Sequence, residues 1–133
     1  MAPWRHWCRP TNMALFRLGR TARQRSGDAG EDQALAHLQQ QGLVLVERNF
    51  SCKGGELDLI MQAGTMLVFV EVRRRAENSF GGAVASITRS KQRRLVVAAQ
   101  RYLQRYRDPP ACRFDVVAID GTVITWLQNA FDS

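Results

Sequence analysis

Alternation of apolar and polar positions is clearest in the middle of the chain. Residues 54–75 read GGELDLIMQAGTMLVFVEVRRR, two strand-like runs about a turn. Side chains alternate faces along a strand, so Leu57, Leu59, Met66, Val68, Val70 and Val72 make one wholly apolar face. A turn at Ala63-Gly64 pairs Gln62 with Thr65 and Met61 with Met66. Continued, that ladder sets Asp58 opposite Phe69 and Glu56 opposite Glu71. Opposed residues share a face. Glu56, Asp58, Glu71 and Arg73 are therefore expected on one side, among Leu67 and Phe69. A slip of one residue would turn Asp58 away from Glu71.

The flanking segments switch to a helical period. Residues 29–41 predict a helix, capped by Ser26 or Asp28 and closed by Gly42. Its apolar stripe is Ala34, Leu35 and Leu38, and Glu31 falls on that stripe, where the helix dipole favours an acid. Residues 43–48 (LVLVER) read as a strand and 49–55 as a loop. Gly54-Gly55 would serve either as a plain turn or as a close backbone approach. After a loop at 76–85 broken by Gly81-Gly82, a second helix spans 88–106, with Leu95, Ala98, Ala99, Tyr102, Leu103 and Tyr106 inward. Lys91, Gln92 and Arg94 stand at its N-terminal end, and Asp108-Pro109-Pro110 stops it. Residues 113–120 form a strand with Phe114, Val116 and Ala118 on one face and Asp115, Val117 and Ile119 on the other. Gly121 marks a turn, 123–127 a last strand and 128–133 a tail. The order α-β-β-β-α-β-β predicts an α/β sandwich: a mixed sheet with a central hairpin, helices on its faces, and a parallel pair across the long helix.

Length and composition narrow the classes. A chain of 133 residues is one domain by size, large enough for a core without disulfides. Cys8, Cys52 and Cys112 are odd in number and isolated, which argues against a zinc site or a disulfide framework and for a reducing, cytoplasmic setting. No apolar run approaches the ~20 residues of a membrane span. The net charge of +7 is uneven: residues 1–26 hold six arginines and no acid, so the rest is nearly neutral. Residues 1–26 read as a basic, disordered arm, with Met13 an alternative start, and 27–133 as the domain.

Acids opposed on a strand pair call for a cation. Arg73 is one candidate, and a hard divalent ion, held by carboxylates, water and phosphate oxygens, is the other.

Five blocks sharpen this: GDAGEDQALAHL, NFSCKGGELDLI, LVFVEVRRR, SITRSKQRRLVVAAQRYL and RFDVVAI. Together they resemble the YraN-like family of bacterial proteins, within the PD-(D/E)XK nuclease superfamily and akin to archaeal Holliday-junction resolvases. The resemblance covers residues 24–120 and implies a restriction-endonuclease-like fold. It implies Asp58 and Glu71 as metal ligands for Mg²⁺ or Mn²⁺, the Val72 backbone carbonyl as a third, and Glu31 approaching directly or through water. Gln92 or Lys91 matches a polar helix position near the site, and Glu56 stands behind the ligands. Arg73 occupies the position usually held by lysine, where it would bind phosphate but not act as a base. Arg74, Arg75, Lys91, Arg93 and Arg94 are expected to contact a nucleic-acid backbone, DNA above all. The activity implied is endonucleolytic cleavage of DNA, with branched DNA as substrate and a dimer favoured by a symmetric junction. Two alternatives stay open: a non-catalytic nucleic-acid-binding module, and a protein-interaction domain using the arginine-rich arm.

Overall fold

The computed structural model describes residues 22–74 and 87–131. They fold as α1 (Ala22–Gln40), β1 (Val44–Cys52), β2 (Gly55–Ala63), β3 (Met66–Arg74), α2 (Arg89–Leu103), β4 (Cys112–Asp120) and β5 (Val123–Phe131). This is the expected α/β order. The strands form one five-stranded sheet in sequence order, antiparallel except for the parallel β3–β4 pair across α2. Among the described residues, no helix is long and apolar enough to cross a membrane.

The two faces of the sheet support two separate cores. On one, α2 lays Leu95, Ala98, Ala99 and Tyr102 against Val46, Leu57, Ile60, Leu67, Phe69 and Phe114. On the other, α1 lays Ala34 and Leu38 against Leu59, Met61, Val68, Val70, Val117 and Ile119. The second core is aliphatic. The first is built on aromatic rings, with Tyr102 edge-on to Phe50 and Phe69 at centroid distances of 5.2 and 6.2 Å.

Element ends differ from the sequence expectation for identifiable reasons. Helix α1 begins by Ala22 rather than at 29, so Ser26 and Asp28 lie within it and do not cap it. No proline interrupts residues 22–28, and their alanine, arginine and glutamine are good helix formers. The helix therefore takes in residues 22–26 of the expected arm, and residues 1–21 lie outside the described residues. Gly42 closes α1 as anticipated: its N–H bonds Gln39 C=O at 3.0 Å and the Leu43 N–H bonds Leu38 C=O at 3.1 Å.

Strand β1 runs through the expected loop to Cys52, because Arg48, Phe50, Ser51 and Cys52 all find partners on β2. Only Lys53-Gly54 remains as turn. Helix α2 ends at Leu103; the next three amide N–H groups bond back only three residues, a tighter winding ahead of the prolines. Strand β5 extends through the expected tail to Phe131, whose ring stacks on Phe114 at 4.9 Å. The 76–85 loop with Gly81-Gly82 lies outside the described residues.

The hairpin register is the correction that matters most. The turn is Gly64-Thr65, with Gly64 at φ +62°, so Ala63 pairs with Met66 and Ile60 with Phe69. Compared with the expected ladder this is a shift of two residues. An even shift preserves which residues share a face, so Glu71 remains on the α2 side with Leu67 and Phe69. Leu57 was expected with Leu59, but it packs into the α2 core. Across from this stretch, Asn49 has φ +54°. Phe50, its partner Leu57 on β2, and the α2 core pack together.

Candidate functional site

The β2–β3 ladder stops at Leu59↔Val70. Past that rung β2 stays with β1 down to Gly55, while β3 stays with β4 up to Arg74. The strands fork, and Asp58 and Glu71 are the first residues beyond the last rung, one on each arm. Across the gap Asp58 Oδ2 accepts the Val72 N–H at 2.9 Å. The two-residue shift therefore brings Asp58 beside Glu71 and Val72, where the expected ladder put it against Phe69.

Glu71 is 5% exposed, and its Oε2 is buried without a hydrogen bond. The Lys91 Nζ lies 3.4 Å from it, on α2. Burial, and then the neighbouring Asp58 carboxylate, push Glu71 up to about 9; Lys91 and, more weakly, Arg73 pull the other way. Glu71 thus keeps a proton at neutral pH when no further cation is supplied. Two carboxyl groups share the fork with Lys91 and Arg73, and burial is the largest part of what holds the proton on Glu71.

A hard divalent cation fits the chemistry of this donor set: two carboxylates, one with an unbonded buried oxygen. Among the described residues no three of His, Cys, Asp and Glu gather into a ready-made cage. Asp58 and Glu71 would be the protein's own carboxylate contribution.

The other expected residues divide into those at the fork and those elsewhere. Glu56 is half-exposed and lies 3.4 Å from the same Lys91 Nζ, on the expected face. Arg73 is half-buried on β3, opposite Ala118. Gln92 donates from its amide to Ile87 C=O at 3.3 Å, back across the start of α2. Glu31 sits on α1, on the other side of the sheet from Lys91, with its carboxylate 3.5 Å from Arg48. Arg48 is 9% exposed and also pairs with Asp32 at 2.7 Å. Arg74, Arg93 and Arg94 are exposed; Arg75 lies outside the described residues.

Two further residues position the site; the sequence pointed to Gly55, as a close backbone approach or a plain turn, and not to Arg48. Gly55 lies where α2 crosses β2, and a Cβ there would stand 2.1 Å from the Arg94 carbonyl oxygen. This close approach holds the start of α2 over the fork, and the Gly54-Gly55 pair was its only sequence signal. Arg48 pairs in the ladder with Leu59, one residue from Asp58, and ties α1 to β1. A basic residue in a short strand gave no hint of that.

A family model described as "Uncharacterised protein family UPF0102" matches residues 30–119, a span that contains both arms of the fork and α2. The chain belongs to the UPF0102 family. This is the YraN-like family whose blocks the sequence carries. A UPF0102 protein of Herminiimonas arsenicoxydans is 65% identical over 114 residues, covering 86% of this chain and 92% of the relative. One from Janthinobacterium sp. (strain Marseille) is 66% identical over 121 residues, covering 91% and 98%. One from Cupriavidus taiwanensis is 58% identical over 114 residues, covering 84% and 86%. UPF0102 relatives of this similarity match the chain over nearly their whole length.

Proposed function

We propose that the chain is a divalent-metal-dependent endonuclease acting on DNA, with branched DNA the substrate class favoured by the family resemblance. The observation that carries this reading is the fork itself: Asp58 and Glu71 stand together on diverging arms, beside Lys91. A buried acid set beside a half-buried one is unfavourable for the fold alone and useful for holding a metal.

In this reading Asp58 and Glu71 hold Mg²⁺ or Mn²⁺, with the Val72 carbonyl adjacent and Glu56 supporting through Lys91. Glu31 is a more distant contributor, since Arg48 engages it on the other side of the sheet. The ion, when bound, would neutralise phosphate charge and lower the pKa of a water. Hydrolysis of a phosphodiester would join a water oxygen to phosphorus, break one ester P–O bond and leave a phosphomonoester and a hydroxyl. Arg73 stays charged, so it binds or orients the phosphate rather than taking a proton. Arg74, Arg93 and Arg94 meet the DNA backbone without reading bases.

The test is cleavage of labelled four-way junction, flap, duplex and single-stranded DNA with Mg²⁺ or Mn²⁺, against EDTA and Asp58→Asn. Asparagine keeps an acceptor for the Val72 N–H while removing the charge, so it separates chemistry from folding. Cutting that needs metal and is lost in Asp58→Asn is the expected outcome. No cutting on any substrate, with DNA binding unchanged in Asp58→Asn, selects the non-catalytic binding module. Arg73 in the lysine position is the observation that favours that second reading.

A further inference from the structure

Resting on the nuclease reading, we propose that the cation meeting the scissile phosphate is Lys91, delivered by α2, and that Arg73 on β3 has a lesser part. Three independent features support this. The first is geometry. Lys91 Nζ lies 3.4 Å from Glu71 Oε2 and 3.4 Å from Glu56 Oε1, so the ammonium hangs over the fork from the helix side. It is about one-fifth exposed, and a phosphate entering the cleft would reach it.

The second feature is the helix position. Thr88 caps α2 by accepting the Lys91 N–H on its side-chain oxygen at 3.1 Å, which makes Lys91 the third helical residue. That position normally favours glutamate or glutamine, and the whole first turn of α2 holds no acid. A cation there opposes the helix dipole. Propensity does not explain it, whereas an anion brought to the helix start does.

The third is composition. Of nineteen basic residues only two, Lys53 and Lys91, are lysine. Lys53 is exposed in the β1–β2 turn. In a chain that otherwise uses arginine, lysine stands at the one place where a compact, strongly hydrated point charge faces the carboxylates. Gly55 completes the arrangement: its lack of a side chain lets the Arg94 carbonyl sit against β2, one helical turn below Lys91.

The same geometry gives Lys91 a second property. Its ammonium stands against Glu71 and Glu56, where it competes with an added ion for their oxygens. Removing it should therefore leave metal binding intact or tighter while weakening cleavage, a combination that mere loss of folding cannot produce.

The experiment compares wild type, Lys91→Met, Lys91→Arg, Arg73→Met and Asp58→Asn, all as full chains. Single-turnover cleavage of a four-way junction is measured with Mn²⁺, and Mn²⁺ affinity is measured separately by calorimetry without DNA. Expected are a loss of about 100-fold in cleavage for Lys91→Met, the effect of removing one charge-stabilising donor, partial recovery in Lys91→Arg, and a loss under about tenfold for Arg73→Met. Mn²⁺ affinity of Lys91→Met should equal or exceed wild type. Cleavage within about threefold of wild type in Lys91→Met, or a tenfold weaker Mn²⁺ affinity, overturns the proposal while the nuclease reading stands. Wild type that neither cuts nor binds Mn²⁺, or cutting unchanged in Asp58→Asn, overturns the nuclease reading and this proposal with it.

Discussion

Gly55→Ala tests the geometry on which the whole site depends. The added methyl would lie 2.1 Å from the Arg94 carbonyl oxygen and 3.1 Å from both Ala98 Cβ and Ala98 N. Ordinary contact for such atoms is about 3.5 Å, so roughly 1.4 Å of separation must be found between β2 and α2. The obstruction is helix backbone, which no rotamer change can relieve. Moving α2 outward lifts Leu95, Ala98, Ala99 and Tyr102, all buried, from the aromatic core. Overpacking costs about 1–3 kcal/mol in ordinary cores, and a backbone collision over four buried side chains belongs at the top of that range, about 3 kcal/mol. That is a sizeable share of the ~5–15 kcal/mol that stabilises a typical domain, and corresponds to a Tm fall of roughly 10–15 °C. Thermal and urea unfolding, followed by circular dichroism, would measure it. Gly54→Ala is the control: its Cβ meets only Val97 at 3.5 Å, and its cost comes from a φ of +94°, about 1 kcal/mol. A Gly55→Ala protein within 3 °C of wild type, or no worse than Gly54→Ala, would refute the close-packing argument.

Three further outcomes are expected. Glu71 has a raised pKa, so between pH 4.5 and about 9 the folded state binds the extra proton and metal-free stability falls as pH rises; in urea unfolding from pH 5 to 9 Glu71→Gln should be more stable and show a flatter profile, and an unchanged slope would contradict the assignment. Mn²⁺ should raise the Tm of wild type more at pH 8 than at pH 6, since binding must displace that proton, and Asp58→Asn should abolish the effect. Asp115, fully buried, accepts Arg113 Nε at 3.0 Å, the Trp126 indole N–H at 2.9 Å and the Asn129 N–H at 2.9 Å; Asp115→Asn turns one acceptor into a donor facing donors, and should cost about 2–4 kcal/mol and alter Trp126 fluorescence. A loss below about 0.5 kcal/mol would show that the carboxylate is dispensable.

The element order and the parallel β3–β4 pair were legible because the hydrophobic period changes cleanly between helices and strands. The shared face of the acids was legible for a simpler reason: parity survives any even error in register. What escaped depends on contacts distant in sequence. The turn moved one residue along because Gly64, at positive φ, serves as the first turn residue rather than the second. Leu57 joins the α2 core although it alternates with Leu59, beside the positive-φ Asn49 of β1, and no pattern within its own strand encodes that. Asp115 read as an ordinary strand residue because its ligands Trp126 and Asn129 come from another strand. Glu31 read as an inward acid, correctly, but its neighbour Arg48 is set by how α1 lies on β1. Residues at the fork were found by pattern and kinship; the Gly54-Gly55 pair left a close approach open beside a plain turn, and Arg48 required the packed structure.

The fork also has a mechanical consequence. Beyond Leu59 and Val70 the two arms are fastened to different neighbours, one to β1 and the other to β4; Asp58 joins them by accepting the Val72 N–H, and Lys91 reaches Glu56 on one arm and Glu71 on the other. The spacing of the acids is then set by the twist of the whole sheet as much as by local sequence. An ion bridging Asp58 and Glu71 would act as a clasp joining two halves of the sheet. Loading and emptying it would stiffen and loosen that end of the molecule, and the Val72 amide, released or held by Asp58, would report the change through its rate of hydrogen exchange.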